Sequence, residues 1–299
     1  MSSVTVGIIY KHNYEPAKIE AEKLEEWLRK KDVSVFSEEM KTEEDLYGDC
    51  GRPSDISQNI DWLVVLGGDG TLLGAARKFG RYGAPILGVN LGGLGFLTVI
   101  PLDRLYTVIE MMLEGLLEVE SRSMLETKVL RIGKEVFRFQ VLNDLVINKR
   151  ALARIIDLDV EINEEFLTTF RADGLIISTP TGSTAYNLAA GGPILYPTIE
   201  SIILTPICPF TLTNRPIIIP DSAIIQIKMG KESEKTVILT FDGQVGLDLY
   251  FGDKVIIQKS EEKIRLLRPP DHSYFSIIRN KLMWGGRTYK VNGNHKKNV

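Results

Sequence analysis

The feature that most constrains this chain is a glycine-rich run that directly follows an apolar segment. Residues 62–66 read WLVVL, which is typical of a strand buried on both faces, and residues 72–79 have helical spacing. A loop between such a strand and helix presents backbone N–H groups at a helix N-terminus, where anions bind. The glycines of residues 66–74 let the backbone approach a bulky anion, so the run predicts a phosphate-binding loop.

One acidic residue, Asp69, lies among these glycines. A carboxylate weakens plain anion binding, so its presence in a phosphate loop favours a metal ligand or a general base. The alternative is a tight turn between strand and helix, in which Asp69 or Thr71 caps the helix N-terminus.

Composition and charge exclude several classes of protein. The chain has 299 residues and a net charge of −3, which argues against a broad nucleic-acid-binding surface. The two cysteines and three histidines form no zinc-binding pattern. Widely spaced cysteines and a start without a secretory signal predict a cytoplasmic protein, and the absence of long apolar runs predicts no membrane span.

Hydrophobic patterning divides the chain into three parts. Residues 1–119 alternate short apolar strands with amphipathic helices and predict an α/β domain with a parallel sheet. Residues 120–268 contain many short β-rich runs, which predict a β-rich, sandwich-like C-terminal domain. Residues 269–299 predict a C-terminal helix at 273–284 that returns to the first domain, followed by a disordered tail.

A second glycine cluster, residues 90–97 with the sequence NLGGLGFL, also follows a predicted strand. It is therefore expected at the same edge of the sheet as the first loop, although glycine-rich strand ends are often only close-packed turns. Neither cluster matches the GxGxxG dinucleotide fingerprint, and the chain has no GxxxxGK[ST] motif.

Residues 173–187, DGLIISTPTGSTAYN, are rich in hydroxyl side chains and contain one aromatic residue near their end, Tyr186. Such a segment can surround a nucleoside, with hydroxyls bonding the ring edges and Tyr186 offering a stacking face. The alternative is a Ser/Thr-rich turn before a small helix at 185–190. The pair Asn143-Asp144 at a strand entrance is, by itself, more typical of a plain turn.

Taken together, these segments resemble the NAD kinase family. The matching motifs occur in the family's order: GGDGT at 67–71, NLGGLGFL at 90–97, Asn143-Asp144, the 173–187 segment and LMWG at 282–285. The first motif is shared with a wider superfamily that includes diacylglycerol, sphingosine and 6-phosphofructokinases. The 173–187 segment is far more specific to the NAD kinases.

The resemblance implies an active site between the two domains and phosphorylation of the adenosine ribose 2′-hydroxyl of NAD to give NADP. It also implies ATP or polyphosphate as donor, a divalent metal (Mg²⁺ or Mn²⁺), and homo-oligomers built through the β-rich domain. Two alternatives stay open at this point. One is a lipid kinase of the diacylglycerol or sphingosine kinase type, and the other is a non-catalytic nucleotide sensor.

Carried over position by position, the resemblance makes Asp69 the catalytic residue that faces the 2′-hydroxyl. It implies nucleotide-binding roles for Gly68, Gly70, Thr71, Asn143, Asp144, Asp173, Thr184, Ala185, Tyr186 and Asp242. Many members have Asn-Glu where this chain has Asn143-Asp144, and the serine found in several members three residues after the tyrosine is Ala189 here. The resemblance assigns no metal ligands.

Overall fold

The computed structural model describes residues 4–40, 60–150, 155–230 and 237–284. The polar, turn-rich sequence of residues 37–60 predicts a loop, and most of it lies outside these residues. All of the predicted disordered tail, at 292–299, also lies outside them. Among the described residues, no helix is both long enough and apolar enough to cross a membrane.

The N-terminal part is an α/β unit built on a parallel sheet. Its strands are β1 (Thr5–Tyr10), β2 (Ser34–Glu39), β3 (Trp62–Gly67), β4 (Ile86–Asn90) and the short β5 (Ile100–Pro101). Its helices are α1 (Glu15–Arg29), α2 (Asp69–Phe79) and α3 (Leu105–Leu113). The first four strands pair in parallel in the order β4-β3-β1-β2, which confirms the predicted α/β domain.

Burial explains why these segments were recognisable, and where the predicted bounds were wrong. The strand β4 is buried along its whole length, and β3 along all but its first residue, because helices cover the sheet. Apolar residues at helical spacing in residues 15–31 predict a helix with Ile19 on its apolar face. The helix α1 packs instead through Ala17, Ala21, Leu24 and Leu28, and Ile19 is exposed. The amphipathic pattern of residues 103–117 predicts a helix over that range. The helix α3 is shorter, because the residues at its expected start form a 3₁₀ turn, Leu102–Arg104.

The C-terminal part is a β-sandwich. Its elements are β6 (Glu118–Arg131), β7 (Lys134–Val141), β8 (Asp144–Lys149), β9 (Ile156–Ile162), β10 (Glu165–Ala172), β11 (Gly174–Ser178), α4 (Tyr186–Ala189), β12 (Ser201–Ile207), β13 (Ile217–Pro220), β14 (Ile225–Met229), β15 (Val237–Phe241), β16 (Val245–Leu249) and β17 (Lys254–Arg268). One layer has the order β13-β12-β11-β8-β15-β16, and the other contains β10-β9-β14-β17 with β6 and β7. Side chains from both layers, such as Ile147 and Ile257, share one buried core, which confirms the sandwich.

The two parts are joined by the long strand β17. Near its end, Leu266 pairs in parallel with Ile86 of β4, so the second layer of the sandwich continues into the α/β sheet. The helix α5 (Tyr274–Leu282) follows, and Ile277 is buried in the α/β core with Leu267. The predicted return of the C-terminal helix is confirmed.

Candidate active site

The glycine loop after β3 leads directly into α2. The helix begins at Asp69, and its N-cap residue is Gly68, which has no side chain to cap the helix. The interpretation of Asp69 or Thr71 as a capping residue is therefore wrong. The Thr71 side chain packs against the backbone of Gly67, and the Asp69 carboxylate turns toward the second glycine loop.

That second loop wraps around the Asp69 carboxylate. Oδ1 accepts hydrogen bonds from the amides of Leu97 (3.0 Å) and Thr98 (2.9 Å) and from the Thr98 hydroxyl (2.9 Å). Oδ2 accepts one from the amide of Phe96 at 2.8 Å. A side chain at Gly95 would overlap Oδ1, so this close approach requires glycine. Oδ2 thus keeps more acceptor capacity than Oδ1.

The two glycine loops line a common cleft of about 360 Å³. Its lining residues are Lys11, Tyr14, Gly67, Gly68, Asp69, Asn90, Leu91, Gly92, Gly93, Gly95 and Lys281. The prediction that both loops meet at one edge of the sheet is confirmed by this geometry. Exposed backbone together with two lysines gives the cleft the character of an anion-binding site.

A second cluster forms around Asn143 and Asp144 at the start of β8. The Thr179 hydroxyl donates to the Leu142 carbonyl at 2.6 Å, and the Thr179 amide donates to the Asn143 carbonyl at 2.9 Å. A side chain at Gly182 would overlap the Asn143 carbonyl. The hydroxyl-rich segment therefore folds closely over the Asn143-Asp144 pair.

The same segment brings three more predicted residues to this cluster. Thr184 ends a 3₁₀ turn, Ala185 links the turn to α4, and Tyr186 begins α4 with its side chain 43% exposed. The Tyr186 amide donates a hydrogen bond to the Asp144 carboxylate. The structure thus gathers Asn143, Asp144, Thr184, Ala185 and Tyr186 in one place.

The electrostatic environment of Asp144 is unusual. Burial, reinforced by the nearby Asp242 carboxylate, raises the pKa of Asp144 to about 7, and the Tyr186 amide opposes this shift. Both causes disfavour the charged form, because a buried charge loses its hydration and a like charge repels it. Near neutral pH this carboxyl group therefore exists in both protonation states.

We expect the substitution Asp144→Asn to change how stability depends on pH. The raised pKa means that the folded protein binds this proton more tightly than the unfolded chain. Its stabilising effect is fully present below the unfolded pKa of about 3.9 and is lost as the pH rises through about 7. The wild-type Tm should therefore fall more than that of Asp144→Asn between about pH 5 and about pH 8, as measured by calorimetry. Parallel Tm curves for the two proteins would contradict the assignment.

Asp242 lies beneath Asn143 and Asp144 and is enclosed. Its Oδ1 accepts from the amides of Asn143 (2.8 Å) and Asp144 (3.2 Å), and its Oδ2 accepts from the Leu142 amide (3.3 Å). Oδ2 also forms an ion pair with Arg77 at 2.7 Å, and the Asp242 side chain is 0% exposed. Its carboxylate therefore holds the turn before β8 in position and has no surface open to a ligand.

The Arg77–Asp242 ion pair also connects the glycine-lined cleft with the cluster around Asn143 and Asp144. Arg77 of α2 donates a second hydrogen bond to the side-chain oxygen of Gln244, whose amide nitrogen donates to the Gly70 carbonyl at 2.9 Å. The first turn of α2 is thereby tied to the β15–β16 turn that carries Asp242. The sequence did not identify Arg77 or Gln244, although Gln244 directly follows the Asp242-Gly243 pair.

Asp173 is not brought to these clusters. It forms an ion pair with Lys149 at 2.7 Å, beside Gly174 at the start of β11, whereas Ser178 at the other end of that strand pairs with Asp144. At the usual rise per residue, Gly174 and Ser178 are roughly 13 Å apart. Within one chain, Asp173 therefore lies away from the other predicted residues.

A glycine-lined anion cleft with one carboxylate, tied to a hydroxyl-rich loop cluster, is typical of nucleotide-dependent phosphotransferases. Comparisons with known proteins identify the family of phosphotransferases. The family profile described as the ATP-NAD kinase N-terminal domain matches residues 6–117, and that of the ATP-NAD kinase C-terminal domain matches residues 142–269. The chain belongs to the NAD kinase family.

Individual relatives agree with this assignment. An NAD kinase of Syntrophobacter fumaroxidans is 50% identical over 280 residues, which cover 94% of this chain and 98% of that protein. An NAD kinase of Syntrophotalea carbinolica is 49% identical over 94% of this chain and 99% of its own length. The predicted family and the enzyme class are confirmed.

Two solved structures share the fold. The crystal structure of yeast NADH kinase complexed with NADH matches with a TM-score of 0.82 and 28% identity, covering 97% of this chain and 91% of that one. An NAD kinase from Archaeoglobus fulgidus in complex with ATP matches with a TM-score of 0.72 and 26% identity, covering 94% and 99%. These matches favour an NAD kinase over the lipid-kinase and sensor alternatives.

Proposed function

We propose that this protein transfers the terminal phosphoryl group of ATP to the adenosine ribose 2′-hydroxyl of NAD, giving NADP. The observation that carries the proposal is the Asp69 carboxylate, fixed by the amides of Phe96, Leu97 and Thr98 at the glycine-lined cleft. The related yeast NADH kinase structure contains NADH and the related archaeal NAD kinase structure contains ATP, which supports the two substrates.

The chemistry requires positioning and charge neutralisation more than covalent catalysis. Loop amides and the ammonium group of Lys11 bind the phosphate chain in the cleft. Asp69 orients the 2′-hydroxyl and accepts its proton through Oδ2 as the new O–P bond forms. Because the transition state is loose, this proton transfer comes late and needs no strong base.

The glycine-lined cleft and the cluster around Asn143 and Asp144, here called the loop cluster, bind different parts of the nucleotides. Gly68, Gly70 and Thr71 form the phosphate loop and the first turn of α2. The loop cluster holds the dinucleotide through Asn143, Asp144, Thr184, Ala185 and Tyr186, with the exposed Tyr186 ring as a stacking face. Asp242 acts indirectly, by accepting hydrogen bonds from the backbone amides of Leu142, Asn143 and Asp144. A role for Asp173 stays a prediction.

A divalent metal is proposed as part of the bound metal–ATP complex. Among the described residues, no group of three or more His, Cys, Asp or Glu side chains is arranged to hold a metal ion. Mg²⁺ is commonly held by one or two carboxylates together with substrate phosphates and water. Held in this way by phosphate oxygens and water, the metal would enter with ATP, and Mn²⁺ would bind in the same way.

A homo-oligomer is also proposed. Several large apolar side chains of the β-rich part are exposed, including Phe166 (61%), Phe210 (66%) and Leu212 (88%). Large exposed apolar side chains of this kind can form a protein–protein contact. A cytoplasmic location, expected from the cysteine content, stays a prediction.

The experiment that tests the proposed function is an assay of NADP formation. The purified protein is incubated with NAD, Mg²⁺ and ATP, and NADP is quantified with an NADP-specific dehydrogenase. Omission of ATP serves as the control, and polyphosphate in its place tests the second donor. Phosphorylation of a diacylglycerol or sphingosine without NADP formation would favour the lipid kinase, and tight binding without turnover would favour the sensor.

We expect Asn143→Ala to raise the KM for NAD by roughly 3- to 30-fold and to leave kcat nearly unchanged, since one lost hydrogen bond costs about 0.5–1.5 kcal/mol or more if a partner is left unpaired. Contacts that hold the substrate equally in the ground and transition states affect KM only. The KM for ATP should not change. An unchanged affinity for NAD in a variant with wild-type Tm would exclude Asn143 from the site.

A further inference from the structure

The C-terminal helix α5 supplies one of the two lysines of the cleft. Lys281 lines it together with Gly67, Gly68 and Asp69, although it lies more than two hundred residues further along the chain. Neither the resemblance nor the sequence pattern identified this residue. The helix therefore contributes a charge to the site in addition to closing the α/β core.

The position of Lys281 follows from the way α5 is anchored. The Tyr274 hydroxyl donates to the Leu195 carbonyl at 3.0 Å, and its ring lies 5.2 Å from that of Tyr196, which fixes the start of the helix on the β-rich part. Ile277 is buried in the α/β core. Lys281 follows Ile277 by four residues, so both lie on the same face of the helix. Packing of Ile277 thus directs Lys281 toward the glycine loops.

The surroundings of the ammonium group leave it able to bind an anion. Its Nζ lies 4.6 Å from the centroid of the Phe96 ring, a cation–π contact that holds the side chain over the second glycine loop. It lies 3.9 Å from Asp69 Oδ2, which is beyond hydrogen-bond distance. Among the described residues, no hydrogen bond satisfies its three donors.

We propose that Lys281 binds the oxygens of the phosphoryl group that is transferred, directly beside Asp69. This inference deepens the proposed function and rests on it. In the reaction, the 2′-oxygen forms a bond to phosphorus as the bond from phosphorus to the ADP oxygen breaks, and the hydroxyl proton passes to Asp69. Because attack occurs where Asp69 meets the hydroxyl, the phosphoryl oxygens must come close to the neighbouring ammonium group.

If Lys281 had only a structural role, its substitution would have different effects. Lysines near a helix C-terminus interact favourably with the helix dipole, and an ion pair with Asp69 would only orient that carboxylate. In either case the loss of the charge would alter Tm or kcat without weakening the binding of a nucleotide triphosphate. Binding measurements therefore separate the proposal from these roles.

The test compares Lys281→Met with a matched control, Arg279→Met. Arg279 is a basic residue in the same last turn, but it is two residues away and exposed on another face of α5. We expect Lys281→Met to lower kcat/KM for ATP by about 10- to 100-fold, the usual effect of losing a charge-assisted hydrogen bond. The affinity for the Mg²⁺ complex of a non-hydrolysable ATP analogue, measured by calorimetry, should fall, while the affinity for NAD should stay constant.

Lys281→Arg should recover part of the lost affinity because it keeps the positive charge, and Arg279→Met should behave as wild type. The proposal is overturned if Lys281→Met binds the ATP analogue as tightly as wild type, whatever its kcat. It is also overturned if the affinities for NAD and for the analogue fall together with Tm. If the wild-type protein binds the analogue but forms no NADP, the proposed function fails while the binding comparison at Lys281 still gives an answer.

Discussion

Asp69→Asn should lower kcat by about 10²–10⁴-fold, the range usual for loss of a general base. The amide cannot accept the proton of the 2′-hydroxyl. Its oxygen can still accept the hydrogen bonds of Leu97 and Thr98, and only the bond from the Phe96 amide is lost, so most of the contacts that shape the second glycine loop remain. Steady-state kinetics should therefore show KM values for NAD and ATP within a few-fold of wild type.

A suitable control for this variant is Asp103→Asn, which removes an exposed carboxylate of the same α/β part outside the cleft. Its kinetics should match those of the wild-type protein. A near-normal kcat for Asp69→Asn would mean that the carboxylate only joins the two glycine loops.

Asp242→Ala should cost about 3–5 kcal/mol in the free energy of unfolding, because it leaves the buried charge of Arg77 without its partner. It also removes the acceptor for the amides of Leu142, Asn143 and Asp144. Urea denaturation measures the loss. The affinity for NAD should also fall, since the turn that carries Asn143 loses its anchor.

The matched control is Asp248→Ala in the neighbouring strand β16. Asp248 pairs with Arg150, but both side chains are about half exposed, at 49% and 54%. Removal of an exposed ion pair costs only about 0–1 kcal/mol. If the two substitutions destabilise the protein equally, the Arg77–Asp242 pair does not hold the two parts together.

Local sequence patterns were sufficient to predict the elements that carry the site. The apolar runs that became β3 and β4 are bounded by glycine clusters, and both facts are visible within a few residues. The hydroxyl-rich segment was also recognised locally, and it folds over the Asn143-Asp144 pair as one cluster.

The contacts that organise the site were not predictable in the same way, because they join distant residues. The Arg77–Asp242 pair spans 165 residues, and the pairing of Leu266 with Ile86 depends on how two sheets meet. Asp173 shows the converse, that residues close in sequence need not lie close together in the folded chain. It belongs to the same continuous motif as Tyr186, but the strand β11 separates the two ends of that motif.

The start of α2 was missed for a further physical reason. Glycine disfavours helix, so Gly70 made residues 69–71 look like loop. In the folded protein these residues form the first helical turn, which the contacts of Asp69 with residues 96–98 and of Gly70 with Gln244 stabilise. Tertiary contacts here outweigh local propensity.

The central claim is that the glycine cleft and the loop cluster form one site, with the 2′-hydroxyl of NAD at Asp69. A crystal structure of the protein with bound NAD tests it most directly. We predict that the 2′-oxygen lies within hydrogen-bond distance of Asp69 Oδ2, about 2.6–3.2 Å, with the dinucleotide in contact with Asn143 and Tyr186. A structure in which the adenosine ribose points away from Asp69, or in which NAD binds outside the loop cluster, would contradict the claim.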